Sequence, residues 1–508
     1  MDKLPQPILE KIIFLVSQNS HDPQFQDLHK KAVARYAVVS SKFRQAVERI
    51  TFRSINLEID DLPKAPFILS RYSRWSHIQT LRFNIALRPY YGEPVSRLET
   101  PEEQEHNSGV FSIGIARIFI FLSQWPVRDT SASRMPAPVG VFIQSHSATD
   151  IELEDYSTML MKYGPSFARN DVQIWRYHRS LLHLGNVILP SIEHVPISQI
   201  AFTTLFFRRN IDPRALGRIT ALINSKTLKA VAWAFGDTEK KDISLRLARR
   251  QNLADAINGL PSLEQFNLGV EYSSPFDHSC RPPVLYQAEE EDPVSSAIRK
   301  VFQKTTIVHV TGVLASPELF WPKFPSEPTT GPQFESLEEL GLTFHPVTPH
   351  GEWVFDRDWV AGPRRNGTYI DLCPQPDEIR GQEDDKWDMW RHAPMQGPMD
   401  EIYAALGKAV EGMPKIRYIM IQATNYMAVK PGRERTQHQF VFEVSEGRKA
   451  TASWFSNPEY EPSDSVIKIW KMSAYELALD LEIIIASEPT PDPEAREDEM
   501  YMISEAGG

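Results

Sequence analysis

The residues able to do chemistry in this 508-residue chain are scattered rather than grouped. Fourteen histidines occur, and the closest pairs, His178 with His183 and His345 with His350, are each five apart. That spacing does not place two imidazoles on one helical face, as a metal-binding i, i+4 pair requires. The two cysteines, Cys280 and Cys373, are too few for a disulfide framework or a four-thiolate zinc site. No G-x-S-x-G elbow, phosphate-binding glycine loop, dinucleotide fingerprint or H-E-x-x-H helix is present. The expectation is no catalytic residue, no metal and no cofactor, with binding as the activity.

Composition sets the frame for that binding. Hydrophobic residues make up 42% and charged residues 24%, enough for a large core. The formal net charge of −11 argues against a nucleic-acid partner. The longest apolar stretch, Val110 to Leu122, contains Arg117 and falls short of a membrane span, so it reads as a buried helix. The start is acidic and proline-containing, unlike a signal peptide, and a cytoplasmic or nuclear location is expected with no membrane partner.

From residue 78 onward one apolar phrase at i, i+3, i+5 recurs. It appears at Ile78-Leu81-Phe83, Ile197-Ile200-Phe202, Leu228-Val231-Trp233, Leu263-Phe266-Leu268, Leu337-Leu340-Leu342 and Ile416-Ile419-Ile421. Weaker copies stand at Pro138-Val141-Ile143 and Thr305-Val308-Val310. Helical patterns separate several of them, at Pro213 to Ile223, Ile243 to Ile257 and Val294 to Phe302. The strongest internal match aligns LADAINGLPSLEQFNL from Leu253 with LGKAVEGMPKIRYIMI from Leu406. It reads as a helix, a glycine able to end it in the left-handed region, a proline, then a strand. A helix-then-strand unit of 30–40 residues predicts a solenoid, and an ordinary α/β domain of mixed strand order is the alternative.

In such strands the residues alternating with the apolar ones face outward. Of the eighteen in the six clean units, only Arg82 and Glu339 are charged. Arg82, Asn84, Ala232, Gln265, Asn267 and Tyr418 are the candidate substrate-face residues. Either a partner or the chain's own loops would cover so uncharged a face. Residues 345–397 break the rhythm and hold Trp353, Trp359, Trp387 and Trp390, either as a substrate-capturing insertion or as a lid.

Beyond Ile421, alternating runs around Glu446-Gly447 predict a hairpin, followed by a helix from about Ser465 to Ile485. From Glu488 seven acids against one base, with three prolines, read as a disordered tail.

The N-terminus supplies the most specific pattern. Leu4-Pro5, Ile8-Leu9, Ile12 and Leu15, then Val38-Val39-Ser40, Lys42-Phe43 and Val47, resemble the F-box. The continuation through Glu48-Arg-Ile-Thr-Phe-Arg-Ser-Ile resembles the F-box of filamentous-fungal F-box proteins, over about residues 1–55. The segment departs from that pattern at Pro7, where Glu is usual, and in the longer stretch from Ser17 to Lys30. The resemblance implies that Leu4, Pro5, Ile8, Leu9, Ile12, Val39 and Phe43 bind a Skp-type adaptor carried by a cullin scaffold. The rest would recruit a protein substrate to an SCF-type ubiquitin ligase. The alternatives are an N-terminal helical cap on the next domain and a repeat-based interaction scaffold that recruits no ligase.

The strand phrase in turn resembles irregular leucine-rich repeats. The expected fold is thus α/β (α+β): an F-box-like segment at 1–55 and an irregular leucine-rich-repeat-like solenoid at 65–423. A hairpin plus helix at 424–487 and an acidic tail at 488–508 complete it.

Overall fold

The computed structural model describes residues 5–17, 34–90, 99–126, 138–147, 181–203, 210–237, 243–271, 282–324, 331–357, 391–423, 437–457 and 459–486. The tail from Glu488 lies outside these residues.

The first unit is built from helix α1 (Gln6–Ser17), a 3-10 turn (Arg35–Val38) and helix α2 (Ser41–Thr51). Pro7 sits in the first turn of α1, where no backbone donor is needed. The Ser40 hydroxyl accepts from the Phe43 amide and caps α2. Leu9 and Ile13 pack with Phe43, Ala46 and Val47 in a small core separate from the main one. Arg74 joins this unit to the rest, 2.7 Å from Glu48 and stacked on the Phe52 ring.

The remainder is mixed α/β around one open, twelve-stranded sheet. Its strands are β1 (Ser54–Glu58), β2 (Thr80–Leu87), β3 (Val139–Ser147), β5 (Ile197–Thr203), β7 (Ala230–Gly236), β8 (Leu263–Glu271), β9 (Thr305–Leu314) and β10 (Glu339–His345). Four more follow, β13 (Tyr418–Ala423), β14 (Gln437–Val444), β15 (Lys449–Asn457) and β16 (Asp480–Ala486). They lie side by side in chain order. All neighbours are parallel except around β14, which is antiparallel to both β13 and β15. Two short pairs stand apart, β4 (Leu181–Leu182) with β6 (Asn210–Ile211) and β11 (Phe355–Arg357) with β12 (Arg391–Pro394).

Every apolar phrase opens or immediately precedes a strand. Its i+3 residues Leu81, Val141, Ile200, Val231, Phe266, Val308, Leu340 and Ile419 stand in one register row, essentially without solvent exposure. Full burial of such a side chain contributes about 2 kcal/mol. Against this face pack α3 (Ala65–Ser70), α4 (Pro101–Ser123), α5 (Pro213–Ala221), α6 (Ile243–Asn258), α7 (Pro293–Phe302), α8 (Gln396–Val410) and α9 (Asp464–Glu476). By length and composition α4 could cross a membrane, yet Phe111, Ile115, Ile118 and Leu122 lie in this core.

Three expectations change. The helix expected through Ile485 ends at Glu476, and Ala478 at φ 54° turns the chain into β16. The hairpin β14–β15 continues the main sheet, so no structural boundary falls at 423/424. The matched glycines Gly259 and Gly412 do not adopt positive φ. Gly412 is needed for a different reason, since a Cβ there would stand 2.2 Å from the Pro332 carbonyl oxygen.

Candidate functional site

With the helices on one face, the other face of the sheet carries the alternate residues. Thr80, Gly140, Gln199, Ala230, Gln265, Ile307, Glu339 and Tyr418 form its first row. Arg82, Phe142, Ala201, Ala232, Asn267, His309, Gly341 and Met420 form the second. Register thus brings together all six substrate-face candidates: Gln265 and Tyr418 in the first row, Arg82, Ala232 and Asn267 in the second, and Asn84 in the third. All six are half-buried, and none belongs to the apolar core.

Polar links run across and along the strands on this face. Gln144 donates to Asn84, and Asn84 donates to Glu58 at 2.7 Å. Gln265 donates to Asn267 at 3.4 Å, and the Arg82 guanidinium stacks over Phe142, 5.0 Å from its centroid. The His309 imidazole lies over Gly341 to reach Glu339 at 2.9 Å. A Cβ at position 341 would stand 2.7 Å from that ring, so Gly341 provides space and not unusual backbone freedom. If this face is open, Ala232→Lys and Asn267→Lys should each alter stability by about 0.5 kcal/mol or less. If residues outside the described set cover it, the buried ammonium would cost several times more. Thermal melts of the two variants distinguish these cases.

The second surface is the N-terminal unit. Pro5, Ile8, Ile12 and Val39 point outward, Ile8 at 47% and Val39 at 58% exposure. Val38, quoted in the motif but not among the candidates, is the most exposed apolar residue there at 84%. Leu9 and Phe43 are corrections, because both are buried in the unit's own core and are not surface anchors. Leu4 lies outside the described residues.

Of the tryptophan-rich insertion, Trp353 is described. It packs with Leu285, Leu314 and Val347, beneath the Arg391 guanidinium. Trp359, Trp387 and Trp390 lie outside the described residues.

Two polar clusters escaped the sequence reading. At the carboxyl end of β7, Asp237 accepts from Arg246 at 2.7 and 2.9 Å and from Arg250 at 2.6 Å. Arg250 also donates to Asp292, which caps α7. All four are within 3% of complete burial. Burial would raise the Asp237 carboxyl, but the two guanidiniums outweigh it and hold it well below the usual carboxylate range. Nearby, burial pushes His345 down to about 4.

The other cluster joins Tyr403, His438 and Ser456 through hydrogen bonds of 2.6 and 3.0 Å. This resembles a catalytic arrangement in connectivity alone. His438 is ringed by Phe355, Tyr403 and Tyr460, and burial pushes it down to about 3. Such a neutral, enclosed imidazole fixes packing. Likewise His183 ties β4 to the Asp212 cap of α5 at 2.7 Å, and His350 Nδ1 donates to the Tyr286 carbonyl at 3.0 Å with its Nε2 3.6 Å from Glu318, in a loop brace. His178 is outside the described residues. Among the described residues no three His, Cys, Asp or Glu side chains are grouped to hold a metal ion. No family model, curated protein or solved structure matches the chain.

Proposed function

We propose that the chain is the substrate-recognition subunit of an SCF-type cullin-RING ubiquitin ligase, in the cytoplasm or nucleus. The observation that carries this reading is the N-terminal unit: a core of its own, with Pro5, Ile8, Ile12, Val38 and Val39 turned outward. Its F-box-like order of residues supports docking on a Skp-type adaptor. The described part of 65–423 supports an irregular leucine-rich-repeat-like solenoid, because its strands follow chain order with helices on one side. In this reading the open sheet face holds a protein substrate, and the covalent steps take place on other subunits.

The test is co-purification of adaptor and cullin with the tagged chain. Ile8→Glu combined with Val39→Glu changes two exposed side chains, so folding should survive and the melting temperature should hold. Loss of buried interface anchors costs about 2 kcal/mol or more, roughly thirtyfold in affinity. Adaptor capture should therefore vanish, and undiminished capture by the variant would end the assignment.

A second reading has its own support. Leu9 and Phe43, two of the residues expected to touch the adaptor, serve the unit's interior. That favours a repeat-based scaffold whose N-terminal unit is only a cap. It predicts substrate-like partners in the purification with neither adaptor nor cullin.

A further inference from the structure

The open face is electrically polarised along the strand order. At the β2–β3 end it carries Arg82, and Glu58 on the adjoining strand accepts from Asn84. Toward the other end the first register row runs Glu339, Tyr418, Glu443, Thr451, Glu482 through β10, β13, β14, β15 and β16. Glu443 and Glu482 are exposed, and Glu339 keeps 41% of its side chain in solvent beside His309. Neighbouring strands are about 4.8 Å apart, so the three carboxylates recur at about 10 Å.

The second row at this end is different in kind. Gly341, Met420, Val441, Ser453 and Ile484 form a small and apolar strip, with Ile484 36% exposed. Beyond it Gln422, Gln439 and Phe455 continue the face. Lys449 also stands at this end, in register with Asp480. An acidic rail beside an apolar strip matches side chains that have both a charged head and an aliphatic stem.

We propose that the face over β10 and β13–β16 docks an extended, basic protein segment running across the strands. The inference rests on the reading of this face as the substrate surface. Lysine or arginine stems would lie along Val441 and Ile484, and their heads would reach Glu339, Glu443 and Glu482. In a polyproline II segment, with three residues per turn and a rise of about 3.1 Å, basic residues three apart lie on one side and match the 10 Å repeat.

The probe is a fluorescein-labelled 15-residue peptide with lysine at every third position among serine and leucine, titrated by anisotropy into the full chain. The triple variant Glu339→Gln/Glu443→Gln/Glu482→Gln should bind about tenfold more weakly than the parent, from three partly exposed charge pairs. Glu105→Gln/Glu459→Gln/Glu461→Gln makes the same charge change at exposed positions elsewhere and should stay within about twofold. Equal losses in both variants, or no binding by the parent, would overturn the proposal. Melts of Asn267→Lys keep the two levels apart. Native-like melting without peptide binding removes the basic class and leaves the substrate face standing. Collapse of the melt removes the face itself.

Discussion

Asp237→Asn should lower stability by about 4 kcal/mol, the largest single effect expected here. The substitution keeps shape and removes charge, leaving Arg246 and Arg250 buried against one fewer anion. Breaking a buried ion pair by neutralising one partner costs about 3–5 kcal/mol, because the surviving charge has lost its compensation and water cannot replace it. The loss should appear as a lower urea midpoint at unchanged slope. Replacing charges together tests the same idea from the other side. Asp237→Leu with Arg246→Met should recover part of the loss, since fewer uncompensated charges are then buried. A midpoint unchanged in Asp237→Asn would mean that water reaches the cluster.

Acid should destabilise the chain well above the range in which carboxylates titrate. His345 is held down to about 4 and His438 to about 3, both by burial. A histidine in the unfolded chain titrates near 6.5, so between that value and about 4 the unfolded state binds more protons. The stabilisation from keeping these rings neutral is complete above 6.5 and is lost as pH falls toward the folded values. At pH 5 each contributes a loss of about 2 kcal/mol relative to pH 7. His438→Gln should melt lower at pH 7 but show a shallower decline between pH 7 and 5. A decline as steep as the parent's would mean that His438 is protonated in the folded chain.

The sheet was legible in the sequence because its strands pack on one face only. A strand must then place an apolar residue at every second position, and Leu81-Phe83 or Leu340-Leu342 advertise that requirement directly. Ala232, Asn267 and Gly341 fell into one row because equal phrases end at equal depth in a parallel sheet. The failures have equally local causes. Apolar residues from Val466 to Ile485 fit a helical stripe well enough to hide the turn at Ala478. Three arginines within five positions, Arg246, Arg249 and Arg250, look like a solvated face; only the distant Asp237 and Asp292 make their burial tolerable. Leu9 and Phe43 match the adaptor-binding pattern as letters, whereas their burial follows from α1 crossing α2, which no linear spacing records. Gly412 looks like a helix stop, and the need it meets comes from Pro332, eighty positions earlier.

The strict chain order of the twelve strands has a consequence for how the molecule is made and unmade. During synthesis each new strand finds its partner in the strand completed just before it, so no early segment waits, exposed, for a late one. The longest connection to be closed runs from His345 to Tyr418, and closure entropy grows only slowly with loop length. Mechanical force applied at the C-terminal end would meet the reverse: among the described strands β16 has β15 as its one sheet neighbour, and its removal leaves β15 as the next edge. A protease that pulls on its victims from that end would therefore peel this sheet strand by strand, with the N-terminal unit the last to be reached.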